Sequence, residues 1–423
     1  MKLQLVPFMT LMINLRARTL DPQILARLAD WFAVGVAVSL PWSTTATGIL
    51  VVAWLAAVLP TLDAAAMRRE LATAAGGLPI LLWALAALGM LWADASWSER
   101  FGGLDGFNRL LVIPLLLAQF RRSEHGRWVL IGFFASVLGV LLLSWSLALL
   151  PGLSWRGKEL GVPVKDYILQ SGDFLICAFA LLWLACDDGR RGRWRSAAGL
   201  VALAVLFLAN IAFVVTGRTT LLVAPVLLLL LGWRQFRWQG LAGATLLGCI
   251  VGAAVTLESP YLHARLSTSM SDLHAYLASN AESSTSQHLE LLKMSLASVE
   301  TAPIIGHGTG SIPEQFRQAV FGLAGDASVA HVNPHDQILA VAIQLGLVGA
   351  TLLVAMWIAH FMLFRGGGLD AWVGMIIVVQ NFVASLFNSH LFDFTQGWLY
   401  VFGVGVAGGM ALRKRDSAPA TNR

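Results

Sequence analysis

Apolar positions in this chain run together rather than alternate. Stretches at 24–42, 46–62, 78–93, 106–120, 128–150, 170–186, 196–215, 219–233, 240–257, 337–364, 371–388 and 391–412 are nearly free of charge and are joined by short polar connections. At ~1.5 Å of rise per helical residue, runs of this length suit helices crossing a ~30 Å hydrocarbon layer. They are too continuous for the ~10-residue alternating strands of an outer-membrane barrel. The pattern predicts an all-α polytopic membrane protein with about 12 transmembrane helices. One long polar interval, 259–334, falls between helices 9 and 10. The chain therefore divides into helices 1–9 with short connections at 1–258, a helical loop at 259–334, helices 10–12 at 335–412, and a tail at 413–423.

The loop carries helical periodicity of its own. Leu289, Leu292, Leu296 and Val299 recur at spacings that define one helical face, and Ser284 with Gln287 has capping-box spacing. Pro303 and the turn Gly306-His-Gly-Thr-Gly310 end that helix. Ser311 with Glu314 predicts a second capping box and a short helix through Phe316 and Val320. The expected arrangement is a small helical cap on the membrane surface, with Tyr261, Leu262, Phe316 and Phe321 available to dip into it. Residues 3–15 read as an interfacial segment rather than a signal peptide, because Gln4 and Pro7 interrupt the run and Arg16 and Arg18 follow it.

Composition agrees with the pattern. Of the 423 residues 57% are hydrophobic and only 13% charged, and mean hydropathy is +0.71, too apolar for a soluble globular protein. Most of the 29 Lys and Arg residues lie in connections on the side of the N-terminus, which by the positive-inside rule makes both termini cytoplasmic and puts the loop on the outer face. The net charge of +5 is dispersed and forms no nucleic-acid patch. Cys177, Cys186 and Cys249 all sit in apolar runs and read as small core residues.

Candidate chemistry gathers on the outer face. Arg218 is the only charged residue in the tight turn Val214-Val-Thr-Gly-Arg-Thr-Thr220, where topology has no use for it. A guanidinium fixed there suits a phosphate or diphosphate, whose oxygens its fork binds in pairs. Arg265 offers a second clamp. In His331-Val-Asn-Pro-His-Asp336, Pro334 marks a helix start and places His335 in the first turn. A helix N-terminus disfavours imidazolium, which leaves a neutral base, although a structural histidine fits the spacing equally well. Asp336, His331, His288, Asn388, His390 and Asp393 are secondary candidates. The histidines of the loop form no ligand pair of HExxH type, so no metal is expected. The Gly306–Gly310 turn could present backbone N–H groups to a phosphate, or simply connect two helices.

Four local patterns then carry a resemblance. They are Thr216-Gly-Arg-Thr-Thr220; Ser286-Gln-His-Leu-Glu-Leu-Leu-Lys293; Ala302-Pro-Ile-Ile-Gly-His-Gly-Thr-Gly310; and Pro334-His-Asp-Gln-Ile-Leu339 running into Gln344-Leu-Gly-Leu-Val-Gly349. Together the chain resembles the O-antigen ligase family, which includes O-antigen polymerases. The resemblance implies a GT-C-like glycosyltransferase of the bacterial inner membrane with its active site facing the periplasm. It implies transfer of a glycan from an undecaprenyl-diphosphate-linked O-antigen donor to a lipid A-core acceptor, without metal or other cofactor, with His335 catalytic and Arg218 on the diphosphate. The family often has Arg directly before the loop-helix Leu, where this chain has His288, so Arg265 becomes the expected second clamp. Two alternatives stay open: an O-antigen polymerase using the same donor, and a polytopic lipid or sugar transporter. The transporter would be expected to show repeats and mid-membrane polar residues.

Overall fold

The computed structural model describes residues 21–150, 152–153, 161–215, 217–258, 267, 271, 284–320 and 333–417. Among these it is entirely helical. In chain order the helices are α1 (Pro22–Ser39), α2 (Thr44–Val58), α3 (Ala64–Leu71), α4 (Ala74–Gly89), α5 (Trp97–Asn108), α6 (Val112–Arg122), α7 (Gly126–Leu149), α8 (Tyr167–Arg190), α9 (Trp194–Phe213), α10 (Arg218–Glu258), α11 (Ser284–Thr301), α12 (Ile312–Val320), α13 (Gln337–Leu363), α14 (Leu369–Ala384) and α15 (Phe394–Ser417). The interfacial segment expected at 3–15 lies outside the described residues.

Every expected apolar run coincides with a helix, and side-chain caps fix many of the starts. Asp21 accepts from Gln23 N ahead of Pro22, Ser43 caps α2, and Ser96 with Glu99 forms a capping box that opens α5. Each cap satisfies an otherwise orphaned N–H and stabilises its helix by ~1 kcal/mol. By length and composition alone, seven stretches among the described residues can cross a membrane, one of them α5 and α6 taken together (Trp97–Arg122), or eight if the pair α3–α4, bent by 86°, is one broken span. The stretch Thr219–Ala254 counts once among the seven. Yet it reverses: Arg237 has φ 55°, and a Cβ built on Gly232 would meet Gly240 O at 2.3 Å. Eight residues of continuous helix would hold those two glycines ~12 Å apart, so α10 is a hairpin of two segments.

Helices α8 and α9, α6 and α15, α1 and α2, and α4 and α13 pack as pairs, with α14 lying against α8, α10, α13 and α15. Small residues bring the backbones together. A Cβ on Gly405 would meet Leu116 at 2.4 Å, and one on Gly409 would meet Phe120 Cβ at 2.7 Å, so α15 lies directly on α6. Trp54, Trp372 and Tyr400 are fully buried among these helices.

The loop departs from expectation in three ways. Helix α13 is broken at Gly346, whose φ is 64°. A break inside a span leaves backbone groups that lipid cannot satisfy. The 303–310 turn supplies their partners: His307 N donates to Ile343 O and Gly308 N to Gln344 O, each at 2.8 Å, while Leu347 N donates to Pro303 O at 2.8 Å and Val348 N to Ile304 O at 3.3 Å. Gly310 N donates to Gln344 Oε1 at 2.8 Å and Thr309 N to Gly89 O at 3.1 Å. The loop is therefore keyed into the bundle rather than laid on a surface. A phosphate nest at Gly306–Gly310 is excluded, because its N–H groups are already spent on protein carbonyls and an amide oxygen. Second, α11 turns a different face inward: Leu291, Ser295 and Ser298 are buried, whereas Leu292 and Leu296 are exposed. Small hydroxyl residues allow the close approach to α13 that two leucines would block. Third, the capping box at α12 does not form. Ser311 Oγ is buried without a partner, and Glu314 turns to Arg317 at 2.8 Å and Gln318 at 2.9 Å.

Candidate functional site

Four chain segments meet at one end of the bundle: the starts of α8 and α10, residues 333–337, and the α14–α15 turn. Helix α10 begins at Arg218. Thr219 and Thr220 behind it line a small cavity that also touches Gly172, Gln380, His390, Gln396 and Tyr400. Thr220 Oγ1 is 2.9 Å from Ser171 Oγ, which ties α10 to α8. His390 joins the cavity to the His335 segment, because the turn that carries it is bonded to Asn333: Ser389 Oγ donates to Asn333 Oδ1 at 2.7 Å. Gln337 closes the same junction. Its N–H donates to Ser385 O at 2.8 Å and its Oε1 accepts from Leu391 N at 2.9 Å.

His335 does not lie in the first turn of α13. Asp336 is the N-cap, accepting from Leu339 N at 2.8 Å, and His335 precedes it with φ 53°. The Asn333 side chain is turned to the His335 N–H and Asp336 caps instead, so the helix starts at Gln337, three residues after Pro334. His335 N donates to Asn333 Oδ1 at 3.0 Å, which holds this left-handed, costly conformation in place. The ring is partly exposed. Burial pushes the Asp336 carboxyl above its usual range, against the backbone N–H groups of Leu339 and Ile338 that favour its charge.

The secondary candidates separate by what they touch. Asp393 caps α15, accepting from Gln396 N at 2.9 Å. Asn388 Oδ1 accepts from Ser389 N at 2.9 Å and from Asn333 Nδ2 at 3.4 Å, so it holds the two loops together. His390 is 4% exposed, its Nε2 has no partner, and burial holds its pKa down to about 4 despite Asp393. His288 lies within α11. Arg265 and His331 lie outside the described residues. His307 Nε2 is 2.8 Å from Ser298 O and 3.0 Å from Thr301 Oγ1, a local brace for the turn. Among the described residues no three His, Cys, Asp or Glu side chains are grouped as metal ligands.

Two cations escaped the sequence reading. Arg109 is 7% exposed, and its Nη1 donates to Leu391 O at 3.3 Å, Phe392 O at 3.1 Å and Asp393 O. Lys165 has φ 49° and donates to Thr395 Oγ1 at 2.9 Å and to Leu40 O, and burial lowers its pKa. Both clamp the α14–α15 turn. The signal for them was a cation on the side that topology keeps poor in positive charge. Polar residues inside spans were also missed: Gln170, Gln344, Gln380 and Asn381 are all buried in helices. Such residues mark pathways and sites as a rule, and they are of the kind a transporter would be expected to show.

Fold and site thus define a polytopic helical membrane protein with a polar cavity at one end. Residues 202–354, from within α9 through the 303–310 turn and into α13, match the family model described as O-antigen ligase, and the match supports assigning the chain to that family. The matched stretch contains Arg218, Arg265 and His335 and stops short of Asn388, His390 and Asp393. It supports a function of O-antigen ligase or polymerase type, acting on lipid-linked glycans within a membrane. No curated protein sequence matches the chain.

Proposed function

We infer that this protein is an O-antigen ligase, transferring O-antigen from undecaprenyl diphosphate to lipid A-core oligosaccharide at the periplasmic face of the inner membrane. The chain crosses that membrane about twelve times in this reading, with both termini cytoplasmic and residues 259–334 in the periplasm. The observation that carries it is the convergence at one end of the bundle of the start of α10, which opens with Arg218, and the segment bearing His335, within a chain whose residues 202–354 match the family. His335 accepts the proton of an acceptor sugar hydroxyl, and that oxygen attacks the anomeric carbon of the donor. The bond from this carbon to the diphosphate breaks, its electron pair stays on the leaving oxygen, and Arg218 and Arg265 stabilise the charge. One displacement inverts the anomeric centre. A diphosphate already leaves readily, so neither ATP nor a metal is needed for a step.

The test is incubation of purified protein in nanodiscs with lipid-linked O-antigen and lipid A-core, with and without EDTA. Glycan joined to lipid A-core in both conditions is the expected result. Lengthened lipid-linked glycan with no product on lipid A-core makes the protein a polymerase. Activity lost to EDTA and restored by one divalent ion overturns metal independence.

A further inference from the structure

The backbone of His335 is strained, and it is pinned from both sides. A side chain other than glycine at φ 53° persists only where its surroundings over-determine it. On the C-terminal side Asp336 Oδ1 accepts from Leu339 N at 2.8 Å. Gln337 is then tied to the α14–α15 region twice, its N–H donating to Ser385 O at 2.8 Å and its Oε1 accepting from Leu391 N at 2.9 Å. On the N-terminal side Asn333 Oδ1 accepts from His335 N at 3.0 Å. That bond by itself is a local turn, and the two residues could still move together. What fixes them is Ser389, 5% exposed, whose Oγ donates to the same oxygen at 2.7 Å. The amide can face only one way: turned over, its Nδ2 would meet the His335 N–H, donor against donor. As it stands, Nδ2 donates to Asn388 Oδ1 at 3.4 Å.

The turn that carries Ser389 is a firm support. Arg109, 7% exposed, donates to Leu391 O at 3.3 Å, Phe392 O at 3.1 Å and Asp393 O. Lys165 donates to Thr395 Oγ1 at 2.9 Å just beyond. Cations from two distant segments thus hold a turn that supplies no reacting group in the mechanism above.

We propose that Ser389 is a positioning residue for His335: through Asn333 it holds the imidazole in the backbone conformation from which it takes the proton of the acceptor hydroxyl. The inference rests on His335 being the base, as read above. Without the Ser389 hydroxyl, Asn333 keeps His335 N as a partner but loses this tie to the bundle. The φ of residue 335 can then relax toward the negative range that side chains prefer. Such a change re-aims the Cα–Cβ bond and carries the ring away from a hydroxyl that must come within ~3 Å of it. Ser389 lies outside residues 202–354, so the part of the chain that matches the family does not contain it.

The experiment is a kinetic double-mutant cycle in nanodiscs: Ser389→Ala, His335→Asn and the two combined, each with a single-turnover rate, a donor affinity and a thermal melt. Ser389→Ala removes one oxygen atom and should slow the single turnover by roughly tenfold, about what one buried hydrogen bond can hold. Donor affinity should stay within about twofold, because the base touches the acceptor hydroxyl and not the diphosphate. In the His335→Asn background the same substitution should slow nothing further, since the group it positions is gone. A merely structural role would cost the same in both backgrounds. Ser389→Thr, which keeps the hydroxyl, should restore most of the rate. Should Ser389→Ala fail to fold, Asn333→Ala cuts the same link from the other side and should show the same coupling to His335. Equal losses in both backgrounds, or a native rate in Ser389→Ala beside a slow His335→Asn, overturn the positioning role and leave His335 as the base. A near-native rate in His335→Asn overturns the base itself.

Discussion

The two ends of the bundle treat polar groups in opposite ways. At the end formed by α3, α6, the close of α13 and the close of α15, charges are matched: Arg121 reaches Glu70 at 3.1 Å and Asp416 at 2.7 Å, Arg413 pairs with Glu124 and Lys414 with Asp370, and Arg415 caps Leu363 O at 2.7 Å. Among the described residues only one buried side-chain atom there lacks a partner, Asp370 Oδ2, and the other oxygen of that carboxylate is bonded to Lys414. At the opposite end Gln170, Ser311, Gln337, Gln380, Ser385 and His390 each keep an unpartnered buried atom, and His335 and Lys165 hold left-handed backbone. The matched end gives stability and fixes the helices. The unmatched end stores unmet hydrogen-bonding capacity, which a polar substrate can use.

Removing chemistry from the unmatched end should cost activity without cost in stability. His335→Asn is the sharper substitution, because Asn tolerates the φ of 53° that Ala would strain, and its amide cannot take up a proton. Turnover should fall by ~10²–10⁴, the range for a positioned general base, with donor affinity and melting temperature nearly unchanged. Single-turnover rates beside a thermal melt measure this; near-normal turnover removes His335 as the base.

The matched end should behave in reverse. Glu70 is fully buried between Arg69 and Arg121, so Glu70→Ala leaves Arg121 with Asp416 alone, removes buried charge-assisted hydrogen bonds and should lower stability by ~1–3 kcal/mol. Turnover per folded molecule should stay as it was. A variant that melts normally but has lost turnover would join the two ends functionally and break the contrast.

Much of this fold was legible in the sequence, and the limits have physical causes. Apolar runs found the helices because lipid demands them, and even the short run at 106–120 marked a helix, one that Ser96 and Glu99 start earlier with residues too polar for the pattern to include. The eighth and ninth runs were told apart by the polar stretch around Arg237, where the chain does reverse. The break at Gly346 was not legible, because its cause is pairing with a turn some forty residues away, and apolar periodicity carries no trace of backbone bonds between distant segments. The cap face of α11 was misread for a related reason: leucine spacing reports apolar content, whereas Ser295 and Ser298 report closeness of approach. Of the site, the cations in tight turns and the histidine at a helix start stood out. Gln380 and His390 did not, since what marks them is the cavity they line, which only the fold creates.

Arg218→Lys tests the start of α10 with a smaller effect. Charge is kept and the paired N–H geometry is lost, so donor affinity and turnover should both fall, by roughly tenfold. Unchanged values for both would return Arg218 to the role of an interfacial anchor, and the unmatched end would then lack its phosphate clamp.

The smallest expected effect is in the pH dependence of stability. His390 is held neutral by burial with a folded-state pKa of about 4, against 6.5 for the ordinary side chain. Between those values the unfolded chain takes up a proton that the folded chain refuses, so stability falls as pH drops from 6.5 toward 4 and levels off below. Above 6.5 the contribution is complete. Melting temperatures of the native protein and of His390→Gln across pH 4–7.5 isolate it, since glutamine keeps a polar side chain of similar reach and does not titrate. The native curve should fall more steeply between pH 6.5 and 4, and the two should run parallel above 6.5. Curves parallel throughout would mean that the ring at position 390 takes up its proton as readily in the folded protein as in the unfolded chain, and below pH 6.5 a charged group would then stand in a cavity whose other walls are neutral.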